Sequence, residues 1–465
     1  MQMHTPAGPH QAPILSCGGR DQLEGLRRAL APQRWPLDPT LLPTDTLLVG
    51  GAVRDALLER LGERPDLDLV VEGDAVALAR RLAHRCGGSC VVLDAERSIA
   101  RLVLQGWSFD LARRMGASLT QDLSRRDYSI NAIALPLASL CGSGPDPDAT
   151  GLIDPGGGLA DLRARRLRAL GEANLLEDPL RLLRGVRLAW ELGFSIEART
   201  LGWIQAHHLQ LGEVAGERVL AELERLAAAP AGGEGLHQSL ELGLLRNWQG
   251  PRRPQTQEAP DALLEANAAR WLQRLTPERA QRCGLLREEQ AWALPLARLA
   301  ALLPPAALQE LRASRRLQQR GRRLRHWLER LERVGAPGEA APAWIEPGNA
   351  ALQGLPEEER LALQRELEED LPALALHLEP SAAREALRHW RDSSDPLFHP
   401  RPPLDGCQLQ QLLGIAPGRT LGHLLAHLSR ERAFGRLAAS AEPDVVLQVA
   451  QHWLAGCSGD RAQTS

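Results

Sequence analysis

Two kinds of hydrophobic pattern follow one another along the chain, and the change between them divides it into a front and a back part. Between residues 46 and 135, short apolar runs such as "TLLVGG", "LDLVVEG", "SCVVLD" and "WSFDLA" have the length and alternation of strands. The run "AVALARRLAHRCG" has helical spacing and stops at a glycine. From residue 174 onward the runs, such as "GERVLAELERLAAA", have helical spacing. The pattern predicts an α+β protein with an α/β head and an all-helical remainder.

Changes of pattern and turn-rich stretches divide the chain further. Pro/Gly-rich breaks near 229–235, 250–260, 336–349 and 392–404 are the predicted joints. The predicted segments are a variable N-terminal segment (1–40), the head (41–172), a helical neck (173–235), a helical body (236–395) and a helical tail (396–465).

Composition narrows the class of protein. The chain has 465 residues, too many for a single compact hydrophobic core. Because its net charge is −3, any surface that binds a polyanion must be a local basic patch. Seven cysteines without a CxxC pair predict free thiols in a reducing compartment. No stretch has the length and apolarity of a membrane span or a secretory signal. We therefore expect a cytoplasmic protein that has no membrane partner.

Two aspartates stand on a predicted strand in "DLDLVV". Because the side chains of a strand alternate between its faces, Asp66 and Asp68 lie on one side. Two carboxylates so close repel each other, and a divalent cation such as Mg²⁺ is a natural partner for them. A solvated strand face is the alternative interpretation of this pair. A third carboxylate, Asp110 in "WSFDLA", either belongs to the same site or has a structural role.

The stretch "LLVGGAVRDALLERLG" predicts a strand, a glycine pair and a helix. Glycines at such a turn allow the backbone to approach phosphates, and Arg54 in the first helical turn adds a charged donor. An ordinary structural turn is the alternative. The spacing is neither GxGxxG nor a Walker loop, which argues against dinucleotide-binding and P-loop folds.

The stretch "LSRRDYSINAIAL" places an arginine and an aspartate before a predicted apolar helix. In a functional role, Arg126 contacts a phosphate and Asp127 a ribose hydroxyl. In a structural role, Asp127 or Ser129 caps the helix.

The stretch "EDPLRLLRGVRLAWELGF" carries polar residues at intervals of three along a predicted helix. On a helix this spacing forms a slanted polar ridge, and its arginines need an anionic partner, for which a nucleotide is a natural candidate. Asp178 has a plain structural alternative as an N-cap, with Pro179 at the first helical position. The ridge consists of Asp178, Arg181, Arg184 and Arg187.

These stretches occur in the order of the motifs of the class II tRNA nucleotidyltransferase and bacterial poly(A) polymerase family. "GGAVRD…DLD" resembles the family's metal-binding motif, "RRDYSINA" its ribose-selecting motif and "EDPLRLLR" its nucleotide-reading motif. "DPGGGLADL" resembles the hinge between head and neck, and "GERVLAEL" a supporting helix. The C-terminal stretch 402–428 resembles the family's tail region.

The resemblance implies a polymerase-β-like head and a template-independent addition of CCA to the 3′ end of tRNA. Asp66 and Asp68 would bind Mg²⁺ and activate the RNA 3′-hydroxyl, which attacks the α-phosphate of CTP or ATP and releases pyrophosphate. Asp110 would complete the metal site or orient that hydroxyl. The expected partners are CTP, ATP and tRNA, contacted at its 3′ end and its acceptor and T arms, but not DNA.

The remaining motif residues would hold the nucleotide. Asp178 and Arg181 would read the base, because cytosine and adenine present an amino donor beside a ring-nitrogen acceptor, whereas uracil and guanine present a carbonyl. The other residues that the resemblance implies for nucleotide binding are Gly51, Arg54, Arg126, Asp127, Arg184 and Arg187.

Two departures from the family pattern bear on the product and the architecture. The segment 115–124 stands where the family has a longer flexible loop, a loop that is shortened in members that add only CC. Glycines at 156–158 replace a bulky hinge residue and predict a looser joint. A CC-adding enzyme, a poly(A) polymerase and an inactive RNA-binding protein are therefore the alternatives. The arginine-rich stretch 312–333 either follows tRNA phosphates or is a solvated face balanced by Glu329 and Glu332.

Overall fold

The computed structural model describes residues 14–16, 18–142, 151–248, 262–335, 348–438 and 440–460. The chain forms two compact units, Met1–Val214 and Ala215–Ser465. The division falls within the predicted neck, and the four boundaries between the five predicted segments stay predictions. Most of residues 1–40 can be described, but residues 1–13, the predicted joint at 250–260 and all but the last two residues of the predicted joint at 336–349 lie outside the described residues.

The first unit contains a six-stranded mixed sheet. In the strand order β3-β4-β5-β2-β1-β6, only β2 and β5 are parallel neighbours. A small parallel pair, β7 and β8, lies apart from it. The strands are β1 Leu47–Val49, β2 Leu67–Val71, β3 Ser89–Asp94, β4 Ile99–Leu104, β5 Trp107–Arg113, β6 Ala134–Pro136, β7 Arg166–Leu167 and β8 Ser195–Ile196.

Helix α3 covers one face of this sheet and packs on β3, β4 and β5. Buried Leu102, Phe109 and Leu111 alternate with the less buried Arg101 and Asp110, so the polar side chains share the opposite face. The helices of this unit are α1 Gly19–Leu30, α2 Gly51–Leu57, α3 Ala75–Cys86, α4 Leu119–Ser124, α5 Leu137–Leu140, α6 Gly158–Arg163, α7 Glu172–Glu177, α8 Leu180–Leu192 and α9 Ala198–Ala206.

The stretch after Asp127 differs from the predicted apolar helix. It forms a 3₁₀ turn at Ser129–Asn131 and then strand β6. A strand is favoured over a helix here because β6 pairs antiparallel with β1, with Ala134 opposite Val49. This pairing buries the apolar residues in the sheet. The prediction of a helix capped here by Asp127 or Ser129 is therefore wrong.

The glycine triplet allows a close approach of two segments instead of the predicted looseness. The Asp154 carboxylate accepts hydrogen bonds from the amides of Gly158, at 2.7 Å, and Leu159, at 2.9 Å, at the start of α6. A Cβ atom on Gly158 would lie 2.2 Å from the carbonyl oxygen of Ser129. Asp161 of α6 is fully buried and accepts a hydrogen bond from the Ser129 hydroxyl at 2.6 Å. These contacts tie α6 to the 3₁₀ turn.

The described residues of the second unit form helices and no strand. Arg298 is buried at its centre and donates to the carbonyl oxygens that end α10, which orders the turn into α11. The helices are α10 Gly216–Ala228, α11 Gly232–Glu241, α12 Ala262–Arg274, α13 Pro277–Arg282, α14 Arg287–Leu302, α15 Pro305–Glu310, α16 Arg315–Gly335, α17 Asn349–Gly354, α18 Glu357–Glu366, α19 Leu371–Ala375, α20 Pro380–Trp390, α21 Gly406–Leu413, α22 Arg419–Ala433 and α23 Pro443–Asp460.

Helix α16 contains most of the arginine-rich stretch. Arg320 donates to Asp370 at 2.8 Å, and Arg330 forms a two-pronged pair with Glu359 at 2.8 and 3.0 Å. Part of the positive charge is thus balanced inside the second unit by Asp370 and Glu359, and the predicted Glu329 and Glu332 attract Arg325. Over the part of the chain that can be described, no helix is both long and apolar enough to cross a membrane. The α+β fold class is confirmed.

Candidate active site

A row of three charged side chains lies on one face of the sheet. Asp68 on β2 lies opposite Asp110 on β5 in the parallel register, and Asp110 lies opposite Arg101 on β4. Asp66 comes immediately before β2 and is exposed. The sheet therefore brings the DLD motif and Asp110, which are far apart in sequence, to one place.

Asp68 is held in an unfavourable electrostatic position. Burial raises the pKa of its carboxyl to about 6, and this effect outweighs the charge of Arg126, which lowers the pKa. The charges of Asp110 and Asp66 raise the pKa further, while Arg184 lowers it. An ionised Asp68 therefore needs positive charge beside it, from the arginines or from a cation.

Gly50 provides the space that the Asp68 carboxylate occupies. Its φ is +75°, and a Cβ atom there would lie only 2.6 Å from Asp68 Oδ2. At Gly51 the first side-chain atom that a Cβ would meet is Arg54 Nη2, at 3.6 Å. The glycine pair thus has two different roles, and it is the first glycine that shapes the carboxylate site.

Arg54 lies inside the unit with partners of its own. Only 6% of its surface is exposed, and it donates to Asp55 through Nε and Nη2, at 2.9 and 2.8 Å. Its Nη1 donates to Asn131 Oδ1 at 2.7 Å. Asn131 Nδ2 in turn donates to Asp127 Oδ1 at 3.1 Å, and Arg184 Nε lies 3.0 Å from Asp127 Oδ2. The network joins three of the predicted motifs.

Asp127 is a buried, ionised member of this network. Burial opposes its ionisation, but Arg184, the Tyr128 amide and Asn131 together hold the pKa of its carboxyl below the usual value. The Tyr128 amide donates to Oδ1 at 2.7 Å. The carboxylate that the sequence assigned to a ribose hydroxyl therefore has three protein partners.

Arg126 faces the carboxylates from the turn after α4. Its charge lowers the pKa of Asp68, and its Nη2 lies 3.8 Å from Asp122 Oδ2. Its buried Nε has no hydrogen-bond partner among the described residues. Such a donor suits an anionic ligand at this position.

Asp178 and Arg181 lie at the start of α8. The helix begins one residue later than predicted, with Pro179 as its N-cap, although Asp178 Oδ1 accepts a hydrogen bond from the Leu180 amide at 3.3 Å. Arg181 Nη1 donates to the carbonyl oxygens of Asn174, at 2.6 Å, and Arg125, at 3.2 Å. These contacts fix the direction of the guanidinium before any ligand arrives.

Arg187 differs from its two neighbours along the ridge. It is buried and forms an ion pair with Glu191, one turn further along α8. Arg184 is 42% exposed and Arg181 20% exposed, measured on their side chains. Within the predicted ridge, Arg187 is thus the arginine turned into the protein.

Sequence reasoning missed the residues that hold the site together. Asn131 is part of the quoted motif "RRDYSINA" but received no role, and Asp55 follows Arg54 directly. Arg101 could have been noticed in the sequence, because it is the single charged residue within the apolar strand β4. Asn174, whose carbonyl oxygen orients Arg181, carried no signal in the sequence.

The carboxylates suit a divalent cation that is also bound by its substrate. No group of three or more His, Cys, Asp or Glu residues that could hold a metal by itself occurs in the described ranges. Mg²⁺, however, is commonly bound by one or two carboxylates, substrate phosphates and water. Asp68 and its neighbours, whose mutual repulsion a cation relieves, fit such a partial site.

Comparison with known proteins assigns the family. Residues 110–168 match the family model "Poly A polymerase head domain", and residues 193–252 match "Probable RNA and SrmB- binding site of polymerase A". The chain is 32% identical over 418 residues to a CC-adding tRNA nucleotidyltransferase of Synechocystis sp., covering 88% of this chain and 94% of the relative. It is 31% identical over 464 residues to an A-adding tRNA nucleotidyltransferase of Deinococcus radiodurans, covering 90% and 97%.

The fold agrees with this family. The Thermotoga maritima CCA-adding enzyme complexed with tRNA superimposes with a TM-score of 0.63 at 20% identity, over 94% of this chain and 98% of that one. The chain belongs to the tRNA nucleotidyltransferase and poly(A) polymerase family. It is a nucleotidyltransferase, and the resemblance carried by the motifs is confirmed.

Proposed function

We propose that the protein transfers cytidine monophosphate from CTP to the 3′ end of tRNA and stops after two additions. The CC-adding and A-adding relatives match over similar lengths at similar identity, so they do not decide between products. The observation that carries the proposal is the segment 115–124, which is short and folded. The CC product, one of the alternatives open from the sequence, is therefore preferred to full CCA addition.

Contacts of the segment 115–124 support this preference. Ser118 caps α4 by accepting from the Gln121 amide at 3.2 Å. Gln121 Oε1 accepts from the Ala117 amide at 2.8 Å, and Asp122 Oδ1 accepts from the Met115 amide at 2.7 Å. A segment fixed at three points cannot easily change shape. In this family a flexible loop here is associated with the change from C to A.

The chemical step would take place at Asp66 and Asp68. The RNA 3′-hydroxyl attacks the α-phosphate of CTP, a phosphorus–oxygen bond forms, and pyrophosphate leaves with its electron pair. Mg²⁺ held by the two aspartates would stabilise the negative charge on the attacking and leaving oxygens. The position of Asp68 is fixed by strand β2 and by the space at Gly50, which supports this role.

Two arginines would bind the triphosphate. The charges of Arg126 and Arg184 both act on Asp68, so both would also attract phosphates bound beside that carboxylate. Arg126 brings a buried Nε that has no partner in the described part of the chain. Arg184 is more exposed and stays linked to Asp127.

Base selection would depend on Asp178 and Arg181. The carboxylate accepts the amino group of cytosine, and the guanidinium donates to the neighbouring ring nitrogen. Orientation of Arg181 by the Asn174 and Arg125 carbonyl oxygens supports this role, because a fixed donor rejects uracil, whose ring nitrogen is itself a donor.

Four further residues implied by the motifs would act from within the protein. Arg54, Asp127 and Arg187 are buried and have partners, so we assign them to positioning the nucleotide site. Gly51 would keep the backbone of α2 accessible at its first residue.

The experiment that tests the product uses tRNA transcripts that end before CCA, after one C and after CC. Each is incubated with the full-length protein and with CTP, ATP or both, and the 3′ ends are sequenced. We expect addition of C to the first two transcripts and none of A to the third. Addition of A to the CC-ending transcript would overturn the CC proposal, and long A tails would indicate a poly(A) polymerase.

A control separates a wrong product from an inactive preparation. The double variant Asp66→Ala/Asp68→Ala should lose incorporation and retain tRNA binding, measured by filter retention. If that variant incorporates CTP at the wild-type rate, the assignment of the metal site is wrong, whatever the product is.

A further inference from the structure

Arg101 lies in the carboxylate row although no motif includes it. It lies on β4 directly opposite Asp110 in the antiparallel register, on the same face of the sheet. Asp110 in turn lies opposite Asp68 on the far side. Arg101 is therefore the cationic end of a line of charges that leads to the metal-binding aspartates.

The contact between Arg101 and Asp110 uses both ends of the carboxylate. Nε donates to Oδ1 at 2.7 Å, and Nη2 donates to Oδ2 at 2.8 Å. The side chains are 40% and 21% exposed, so the pair is partly shielded from water. Arg101 also attracts Asp66 and Asp68 electrostatically. Its charge thus acts on all three carboxylates.

We propose that Arg101 is a resident counter-cation of the carboxylate cluster Asp66, Asp68 and Asp110, and that it weakens the cluster's affinity for divalent cations. The proposal rests on the proposed function, which assigns Asp66 and Asp68 to metal binding. Without a metal, the guanidinium removes one unit of the cluster's negative charge. An entering cation meets less attraction from the carboxylates and a repulsion from Arg101.

This arrangement has a consequence for turnover. A site of weak intrinsic affinity binds its cation firmly only when phosphate oxygens supply the remaining ligands. The cation would then enter with the nucleotide and leave with pyrophosphate. Arg101 is accordingly a positioning residue, because it acts on the metal site through charge and through Asp110.

The competing interpretation is that the Arg101 fork serves only to orient Asp110. The two interpretations predict opposite signs for a neutral replacement. If charge dominates, Arg101→Gln binds divalent cations more tightly than the wild type. If orientation dominates, the same variant binds them less tightly. Arg101→Lys keeps the charge but lacks the planar fork, so it separates the two effects.

Arg113 offers a matched control. It lies at the end of β5, three residues from Asp110, and is exposed. Alternation along the strand directs it away from the face that carries Asp110. Arg113→Gln changes the net charge by the same amount as Arg101→Gln but leaves the carboxylate row intact.

The test is a titration of the full-length protein with Mn²⁺, in which free Mn²⁺ is measured by electron paramagnetic resonance at pH 8 and fixed ionic strength. We expect Arg101→Gln to bind Mn²⁺ about tenfold more tightly than the wild type. Arg101→Lys and Arg113→Gln should remain within about twofold of the wild type. Unchanged or weaker Mn²⁺ binding by Arg101→Gln would overturn the proposal.

Two safeguards keep the result interpretable. Circular dichroism and thermal unfolding establish that each variant is folded, and Arg101→Met, which keeps the aliphatic stem, replaces Arg101→Gln if the latter is unstable. Because Mn²⁺ binding is measured without nucleotide or RNA, it does not depend on which nucleotide the protein adds. If neither the wild type nor Arg101→Gln binds Mn²⁺, the result would instead contradict the metal assignment of the proposed function.

Discussion

The Arg54 guanidinium and the Asn131 side-chain amide are joined by a hydrogen bond, in which Nη1 donates to Oδ1 at 2.7 Å across 77 residues of sequence. The same amide donates to Asp127 at 3.1 Å. One side chain thus satisfies a buried arginine and a buried aspartate at once. The turn that follows β1 is tied in this way to the turn that precedes β6.

Replacing Asn131 should therefore destabilise the protein. Asn131→Ala leaves a buried donor on Arg54 and a buried acceptor on Asp127 without this partner, at a cost of about 1–3 kcal/mol. The measurement is the free energy of unfolding from urea denaturation. The control is Asn349→Ala, which removes an exposed contact with Glu385 and should cost less than about 0.5 kcal/mol. Equal effects of the two substitutions would show that the network adds no stability.

Asp68 should reduce stability at neutral pH when no metal is bound. Its folded-state pKa, about 6, lies above its ordinary value of 3.8, so the folded protein binds its proton more tightly than the unfolded chain does. The free energy of unfolding consequently falls as the pH rises from about 4 to about 6. Asp68→Asn removes this penalty and should stabilise the protein above pH 7 by up to about 3 kcal/mol.

The test compares urea unfolding of Asp68→Asn and the wild type at pH 4 and pH 8 in the presence of EDTA. The stabilisation should be present at pH 8 and absent at pH 4, where the wild-type carboxyl is protonated. Asp45→Asn alters an exposed aspartate and should have no such dependence. Added Mg²⁺ should raise the wild-type stability and leave Asp68→Asn nearly unchanged. A destabilised Asp68→Asn at pH 8 would contradict the electrostatic account.

The fold could be predicted from the sequence because its strands and helices repeat short local patterns. Strand β4 is a short apolar run of six residues, and α3 ends at Gly87, which takes the left-handed conformation of a helix stop. The prediction of a helix after Asp127 was wrong because the apolar run there fits a helix and a buried strand equally well. Only the pairing of Ala134 with Val49, a long-range contact, decides between them.

The sequence named the candidate site residues but not how they are arranged. Asp66, Asp68 and Asp110 were named from the sequence, but their alignment with Arg101 depends on strand register. Arg54 and Arg187 were expected at a nucleotide because arginine suits phosphate, yet each has a carboxylate partner close in sequence, Asp55 and Glu191. Whether a charge faces a ligand or a neighbouring side chain is settled by packing, which no local pattern records.

The two neighbouring glycines allow a direct comparison. Gly50→Ala adds a Cβ atom 2.6 Å from Asp68 Oδ2 at a positive φ, which costs about 1–2 kcal/mol in backbone strain alone. It should lower the melting temperature and displace the carboxylate, with a loss of CMP incorporation of at least about tenfold. The Cβ atom of Gly51→Ala meets nothing closer than 3.6 Å, and residue 51 is the first residue of α2, so the melting temperature of this variant should be equal to that of the wild type or higher.

The measurements are thermal unfolding and incorporation of CMP into tRNA that lacks CCA. A Gly50→Ala variant with wild-type melting temperature and incorporation would mean that the turn and Asp68 are not in the described contact. A Gly51→Ala variant that melts normally but loses incorporation would indicate that substrate, and not Asp68, approaches this glycine.

Asp178 offers a test of base selection that leaves the local fold intact. Asp178→Asn keeps Oδ1, which accepts from the Leu180 amide, but replaces a carboxylate oxygen with an amide donor. The amino group of cytosine loses its acceptor, whereas the carbonyl of uracil gains a donor. Because a hydrogen bond to a charged group contributes about 1.5–3 kcal/mol, kcat/KM for CTP should fall about ten- to a hundredfold.

Discrimination between CTP and UTP should fall in Asp178→Asn without being reversed. Arg181, which the Asn174 carbonyl oxygen holds in place, still presents donors toward the ring nitrogen of uracil, itself a donor. The measurement is kcat/KM for each nucleotide with the same tRNA. Glu172→Gln, which neutralises an exposed carboxylate at the start of α7, should leave both values unchanged. If Asp178→Asn excludes UTP as strongly as the wild type does, the Asp178 carboxylate does not read the base, and selection must depend on Arg181 or on another residue.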